Sequence, residues 1–267
     1  MSNTRRWLAR ATFNAIRQPK YDRSTAVVLD EYSAGWESYA QHLDRCATIE
    51  DWLKVKGVED QPSYCNVSGE LRYEAFDSIG FNRQTILDSL QREFPGASSV
   101  TEFGCGLGRN VLFLKRAMPQ LQCFGYELCK PGVEIAQRAA QKFGIDVRYA
   151  QLDYVHDAES KYVFPRTDVA FTMYSLEQLP VTNGRAIRNV LGHVNQGSIH
   201  LEPVPENYPL TYRGILGRLD HWKADYLRNF ERNIVACGLA KFTKARLDTA
   251  HNPLMFPSLY VLRKNVN

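Results

Sequence analysis

The sequence predicts a parallel α/β sheet wound with helices, preceded by a helical segment. Three observations carry that prediction. Strand-like and helix-like stretches alternate from Ala97 onward, the pattern of βαβ units. A glycine turn, Gly104-Cys105-Gly106-Leu107-Gly108, joins the first strand to the first helix of that region. Acids stand at the ends of three successive strands, Glu102, Glu127 and Asp153.

Taken in order, the chain before Phe94 shows no parallel-sheet pattern and reads as helices and loops. Residues 26–36 form a helix followed by a loop, and 49–55 a short amphipathic helix. Gln61-Pro62-Ser63-Tyr64 is a break. Residues 82–94 place apolar side chains at helical spacing and are stopped by Pro95-Gly96. Strand 99–103 then feeds helix 110–118, closed by Pro119. Strand 121–127 leads to helix 130–143, with Pro131 in its first turn and Gly144 at its end. Strands 147–153 and 168–173, helix 183–194 and strand 197–202 follow. The proline-rich stretch 203–209 cannot be a central strand. Residues 210–221 read as an insertion over the pocket, 219–237 as helix, and 241–247 and 258–263 as closing strands. The expected division is a helical cap, 1–95, and a ligand-binding α/β domain, 96–267, with a pocket-covering insertion at 203–221.

With 267 residues, 44% of them hydrophobic, the chain can bury a sizeable core. A net charge of +4 and the lack of basic runs interleaved with aromatics give no reason to expect nucleic acid. Arg5, Arg6 and Arg10 with Trp7 and Leu8 make a small basic amphipathic patch, read as an ordinary surface helix. The six cysteines include no Cys-x-x-Cys pair, so reduced core thiols are expected. The six histidines show no His-x-x-x-His spacing, and no metal site is expected. No secretory signal and no apolar run of membrane-spanning length is visible, so the expectation is a soluble, cytoplasmic protein without a membrane partner.

The strand-turn-helix unit suits a nucleotide-type ligand. Glycines let the backbone turn sharply, and the helix start offers N–H groups. An acid one βα unit downstream, Glu127, can bind two ribose hydroxyls. Asp153 can accept a hydrogen bond from an adenine amino group.

From Glu102 to Gly108, through Glu127 and Asp153, the chain resembles the class I S-adenosylmethionine-dependent methyltransferases. Residues 168–180, Asp-Val-Ala-Phe-Thr-Met-Tyr-Ser-Leu-Glu-Gln-Leu-Pro, resemble that family's fourth strand and the loop beyond it. The resemblance covers roughly Ala97 to Lys264. It implies a Rossmann-like seven-stranded sheet of order 3-2-1-4-5-7-6 with an antiparallel last strand, and S-adenosylmethionine as cofactor. It also implies roles. Glu102 would face the methionine amino group, Gly104 and Gly106 would line the methionine part, and Glu127 would hold the ribose. Asp153 would take the adenine amino group, flanked by Leu128 and Tyr154, and Tyr174 would sit beside the sulfonium. The N-terminal helices would form a lid, whose aromatics Tyr32, Trp36, Tyr39, Tyr64, Tyr73, Phe76 and Phe81 either close the pocket or glue helices to the sheet edge. Arg72 and Arg83 are candidates for a carboxylate.

Methyl transfer from a sulfonium needs positioning first and a base only for a protonated acceptor. The catalytic candidates are Tyr174, Glu202 and His221, with Glu177 and Glu206 weaker and His200 read as a satisfied core histidine. The block Asn/Asp-Pro-Pro-Tyr that the resembled family's base and amide-nitrogen methylators carry after the fourth strand is absent, so the resemblance implies a free small molecule as acceptor, in secondary metabolism. Two other readings stay open: a relative that consumes S-adenosylmethionine by cyclisation, releasing methylthioadenosine, and a non-catalytic binding module. A homodimer is a further expectation.

Overall fold

The computed structural model describes residues 3–54, 61–157 and 161–265; Val55, the last residue of the expected helix 49–55, lies outside them. Strands β3 (Ser99–Phe103), β4 (Gln122–Glu127), β5 (Val147–Gln151), β6 (Thr167–Met173), β7 (Val194–Pro203), β8 (Ala240–Arg246) and β9 (Pro257–Lys264) form one sheet. Its order is β5-β4-β3-β6-β7-β9-β8. Counted from β3, that is the expected 3-2-1-4-5-7-6, with β9 antiparallel to both neighbours.

Strand periodicity divides the core into two layers, because successive side chains point to opposite faces. Val169, Phe171, Ile199, Leu201, Leu259 and Val261 pack in one layer with α4 (Ser78–Glu93), α5 (Arg109–Ala117) and α6 (Lys130–Lys142). Ala170, Tyr260 and Leu262 pack in the other with α7 (Asn183–Gly192) and α9 (Phe230–Cys237). Five of the six cysteines are buried and all six are free thiols. His200 takes its expected place in the core. Its Nε2 lies 2.8 Å from Ser198 Oγ and its Nδ1 2.9 Å from Thr172 Oγ1. Burial drives its pKa down to about 3.

The segment before β3 carries α1 (Asn3–Arg17), α2 (Thr25–Arg45), α3 (Ile49–Leu53) and α4. The helix expected at 26–36 runs on to Arg45, and α2 lies along α6, where Lys142 Nζ donates to Leu43 O at 2.7 Å. One element differs in kind. The stretch read as a break opens an antiparallel hairpin, β1 (Ser63–Val67) and β2 (Glu70–Glu74). Its two-residue turn is Ser68-Gly69, both at positive φ (52° and 84°), the geometry that matches strand twist. This hairpin pins the β8–β9 connection. Asn66 exchanges backbone hydrogen bonds with Ala250 at 2.9 and 2.8 Å, and Asn66 Nδ2 donates to Met255 O at 2.7 Å.

The expected single helix 219–237 is two helices, α8 (Tyr212–Lys223) and α9, with Asp225 and Asn229 at positive φ between them. The β6–β7 edge is fastened by one carboxylate. Glu202, fully buried on β7, accepts hydrogen bonds from Thr172 Oγ1 (2.7 Å) and from the backbone N–H of Ser175, Leu176 and Glu177 (3.1–3.2 Å). It thereby fixes the loop that leaves β6. That loop carries Ser175 against Gly104, where an added Cβ would lie 1.9 Å from Ser175 Oγ. Gly104 also sits at φ +73° and Gly106 at φ +53°, with only Trp36 near the latter, at 3.4 Å. Gly104→Ala should therefore lower unfolding stability in urea by roughly 3 kcal/mol, adding overpacking to left-handed strain. Gly106→Ala should cost the left-handed term alone, about 1–2 kcal/mol.

Candidate active site

A cavity of about 550 Å³ opens at the carboxyl ends of β3, β4 and β6. A second, of about 170 Å³, adjoins it and shares Val28, Leu128, Tyr154, Gln178 and Leu179 with it. Such sheets leave a crevice here because the connections on either side of β3 run to opposite faces.

The floor is the glycine turn and the end of β4. Gly104, Gly106 and Leu107 line the larger cavity beside Glu127 and Leu128. Glu127 accepts from Gly106 N at 2.8 Å and from Cys129 N at 2.9 Å. Each carboxylate oxygen has a second lone pair, so the group can still accept from two hydroxyls. Burial raises its pKa, and the backbone N–H groups of Cys129 and Gly106 oppose that shift.

Glu102 stands elsewhere than expected. It is fully buried behind the wall and does not line the cavity. Its Oε1 accepts from Asn110 Nδ2 at 2.8 Å, and Asn110 Oδ1 accepts from Arg83 Nε at 2.9 Å. Asn110 and Arg83 are the residues that reach the cavity. Burial raises the Glu102 carboxyl to about 8 against the hydrogen bond from Asn110. Arg83, one of the two arginine candidates, is thus part of the wall. Arg72 pairs with Glu70 on the hairpin surface, away from the cavity.

Asp153 lines only the smaller cavity. Its carboxylate accepts from the N–H of Val155 (2.9 Å) and His156 (3.0 Å), and its Oδ2 lies 2.9 Å from His156 Nδ1. Tyr154 lines both cavities, and its hydroxyl pairs with Ser175 Oγ at 2.9 Å. The three strand-end acids thus lie behind, in and beside one crevice rather than around one common point.

The ceiling comes from α2 and α4. Tyr32, Trp36 and Tyr39 of α2 line the larger cavity, with ring centroids 5.2 and 5.8 Å apart in sequence. Trp36 reaches over Gly106 and the start of α6. The other four aromatics glue rather than close. Tyr64 packs on Tyr73 and Trp7, and Phe76 on Phe81. Arg109 from the first turn of α5 stacks its guanidinium 5.1 Å from the Tyr39 ring centroid and 4.2 Å from that of Trp52, a cation–π arrangement that fastens the ceiling to the floor.

Of the catalytic candidates, Tyr174 alone lines the cavity. It sits at φ +55°, its N–H bonded to Leu201 O at 3.0 Å, and burial raises its phenol pKa so that it stays protonated. Glu202 is corrected: its oxygens serve the backbone of residues 175–177, as described, and it does not reach the cavity. His221 is corrected too. It is buried on α8 between Tyr208 and Tyr226, its pKa lowered to about 3 by desolvation, away from the cavity. Glu206 is taken up by Asn229 N.

The expected covering by 203–221 is corrected likewise, since no residue of that stretch lines either cavity. Ala250, His251, Asn252 and Met255 of the β8–β9 connection take that place. Arg213 of α8 braces them from behind, donating to Pro253 O at 2.8 Å. His251 and Asn252, with Ser78 and Asn82 from α4, are among the lining polar residues that sequence reasoning missed, as are Arg109, Asn110, Ser175 and Gln178. The signal for His251 and Asn252 was faint: a turn sequence, His-Asn-Pro, bridged to a hairpin that the sequence reading did not contain. Among the described residues no group of acids, histidines and cysteines could hold a metal ion.

Residues 100–197 match the family model described as a methyltransferase domain. Among solved structures, the chain is similar to magnesium protoporphyrin IX methyltransferase from Synechocystis PCC 6803 with bound S-adenosylhomocysteine. That structure is 14% identical, with a TM-score of 0.60 over 90% of this chain and all of that one. The [4+2]-cyclase SpnF is similar at 15% identity and a TM-score of 0.57 over 94% of this chain and all of that one. The plantazolicin methyltransferase BpumL is similar at 9% and 0.54 over 70% of this chain and 85% of that one. No curated protein matches in sequence. The matched stretch, residues 100–197, is a methyltransferase domain, and the sheet around it has the fold of those solved structures. The enzyme activity and the S-adenosylmethionine cofactor follow from that domain. The crevice fits that group. A glycine turn, an acid with spare lone pairs and an adjoining apolar slot lie in sequence along it.

Glu177 is buried beside this site. Its Oε1 accepts from Gln178 Nε2 at 2.9 Å, and its Oε2 has no partner. Burial, and then the nearby Glu202 carboxylate, raise its pKa from 4.5 to about 8. A carboxyl raised in the folded state stabilises fully below the unfolded value, and that contribution is lost as pH rises through the folded value. Glu102 and Glu202, the latter raised to about 7, act in the same sense. His193, His200 and His221, held low by burial, act in the opposite sense below about pH 6.5, so unfolding stability should fall between about pH 6.5 and about pH 8.5. Glu177→Gln should keep about 2 kcal/mol at the upper end that the parent loses, read by urea titration at both pH values.

Proposed function

We propose that the protein transfers the methyl group of S-adenosylmethionine to a small, mainly apolar acceptor held beneath α2. The bound cofactor supplies a methyl group already activated on a sulfonium, so the chain's task is to position two reactants and exclude water. Glu127 would hold the ribose hydroxyls, and Gly104 and Gly106 the methionine part. Leu128 and Tyr154 would flank the adenine, with Asp153 at its edge in the smaller cavity. Asn110 and Arg83 would carry the influence of Glu102 to the amino-acid end. Tyr174 would offer its ring to the sulfonium, where a cation is attracted to an aromatic face.

The observation that carries this reading is the composition of the larger cavity. Beyond the glycine turn it is walled by Tyr32, Trp36, Tyr39, Ile79, Met173 and Met255. Such a wall takes an apolar or aromatic acceptor. The polar groups there are few. Asn82 and His251 line the same cavity, and His251 Nδ1 is buried without a hydrogen-bond partner. With Glu202 and His221 placed elsewhere, His251 is the imidazole available to receive an acceptor proton. The domain division fits the same picture: α2 and α4 supply the closing wall, and the sheet supplies the cofactor cradle.

The test is product analysis with S-adenosylmethionine, first alone and then with phenolic and amine acceptors. S-adenosylhomocysteine formed only in the presence of an acceptor is the expected result. Methylthioadenosine formed without one would replace transfer by cyclisation or elimination of the cofactor itself. Heat of cofactor binding with neither product under any condition would make the chain a binding module. In calorimetry, Glu127→Ala should weaken S-adenosylhomocysteine binding at least about tenfold, the loss of one or two charge-assisted hydrogen bonds. His251→Ala should leave that affinity unchanged and lower the turnover number about a hundredfold, the usual weight of a proton-transfer group.

A further inference from the structure

We propose that α1 and the outer face of α8 form a docking surface for an anionic lipid membrane. The sequence reads α1 as an ordinary surface helix, which would turn its large apolar side chains inward. The structure buries only Ala15 of α1 and leaves Phe13 56% and Ile16 61% exposed. Directly beside it, α8 presents Tyr212, Ile215 and Trp222, each more than half exposed, at spacings of three and seven that put them on one face. The two helices are joined, Thr12 Oγ1 lying 2.5 Å from Tyr212 Oη. Large apolar side chains left exposed on two joined helices mark an interaction surface.

The charge around the patch selects the partner. From Asn3 to Tyr21 the chain has no Asp or Glu, but has Arg5, Arg6, Arg10, Arg17 and Lys20. Two of these cations border the patch directly. The Arg17 guanidinium lies 4.9 Å from the Phe13 ring centroid, and the Lys20 ammonium 4.8 Å from that of Trp222. Aromatic and aliphatic side chains ringed by cations suit the boundary between acyl chains and anionic headgroups. They disfavour a second copy of the chain, since a two-fold contact would bring like charges together. Among the described residues no helix is long and apolar enough to cross a membrane, so attachment would be peripheral. The α1–α2 connection leads from this patch to the smaller cavity, which Arg23 and Ser24 line. Tyr21 N donates to Lys223 O at 2.8 Å where the chain turns from α1 towards α2.

Co-sedimentation with vesicles tests this. The protein should bind vesicles of phosphatidylcholine mixed with phosphatidylglycerol and not vesicles of phosphatidylcholine alone. The double variant R6Q/R10Q should weaken that binding about thirtyfold, and F13D/I16D should abolish it. These positions are exposed, so both variants should keep the parent's circular dichroism and S-adenosylhomocysteine affinity. Failure to bind the anionic vesicles, or equal binding to both kinds, would overturn the proposal. So would an F13D/I16D variant that turns a dimer into a monomer in analytical ultracentrifugation, which would make the patch a self-association surface.

Discussion

One buried carboxylate holds the crevice in shape. Glu202 draws the N–H groups of Ser175, Leu176 and Glu177 and the hydroxyl of Thr172 onto two oxygens. A loop leaving a parallel strand has backbone donors with no ladder partner, and burying them unpaired is costly. The carboxylate meets that requirement from the neighbouring strand. Everything downstream follows from it. Tyr174 is set in the left-handed region with its ring on the cavity, Ser175 is pressed against Gly104, and Ser175 in turn holds the Tyr154 hydroxyl. Three walls of the site are thus tied to one acid that does not itself line the cavity. The requirement for glycine at 104 comes from the protein's own loop as much as from any ligand.

The same logic, a polar group spent on positioning, recurs around the cavity. Glu102 orients Asn110, which orients Arg83. Asn66 pins the β8–β9 connection from a hairpin outside the main sheet, and Arg213 braces it from behind. The surface left facing the cavity is mainly apolar, with the rings of Tyr32, Trp36, Tyr39 and Tyr174 in it. That distribution suits a reaction whose electrophile is already activated, for which orientation and exclusion of water matter more than acid–base power.

Much of the architecture was legible because it rests on short-range patterns. Strand and helix alternate, glycines mark the turn after the first strand, and Pro119, Pro131 and Gly144 punctuate the helices. The sheet order followed from the family resemblance and is the one observed. The hairpin was missed because its strands are short and only one edge is covered, so neither period stands out. Its one signal was Ser68-Gly69, a weaker turn pair than Asn-Gly. Glu202 and His221 were misassigned for a single reason: position along a strand or helix does not say which group a side chain meets. Glu202 does lie at the carboxyl end of its strand, where ligands bind, but neighbouring backbone donors are closer.

By itself the sequence determined the alternation of strands and helices, the glycine turn after the first strand and the acids at the strand ends, because those depend on local spacing. The tertiary structure decided which acids face the crevice, which aromatics close it, and that His251 rather than His221 stands in it. Those outcomes depend on contacts between segments far apart in the chain, Ser175 with Gly104, Asn66 with Ala250, Arg109 with Trp52, and no periodicity within a single segment encodes them.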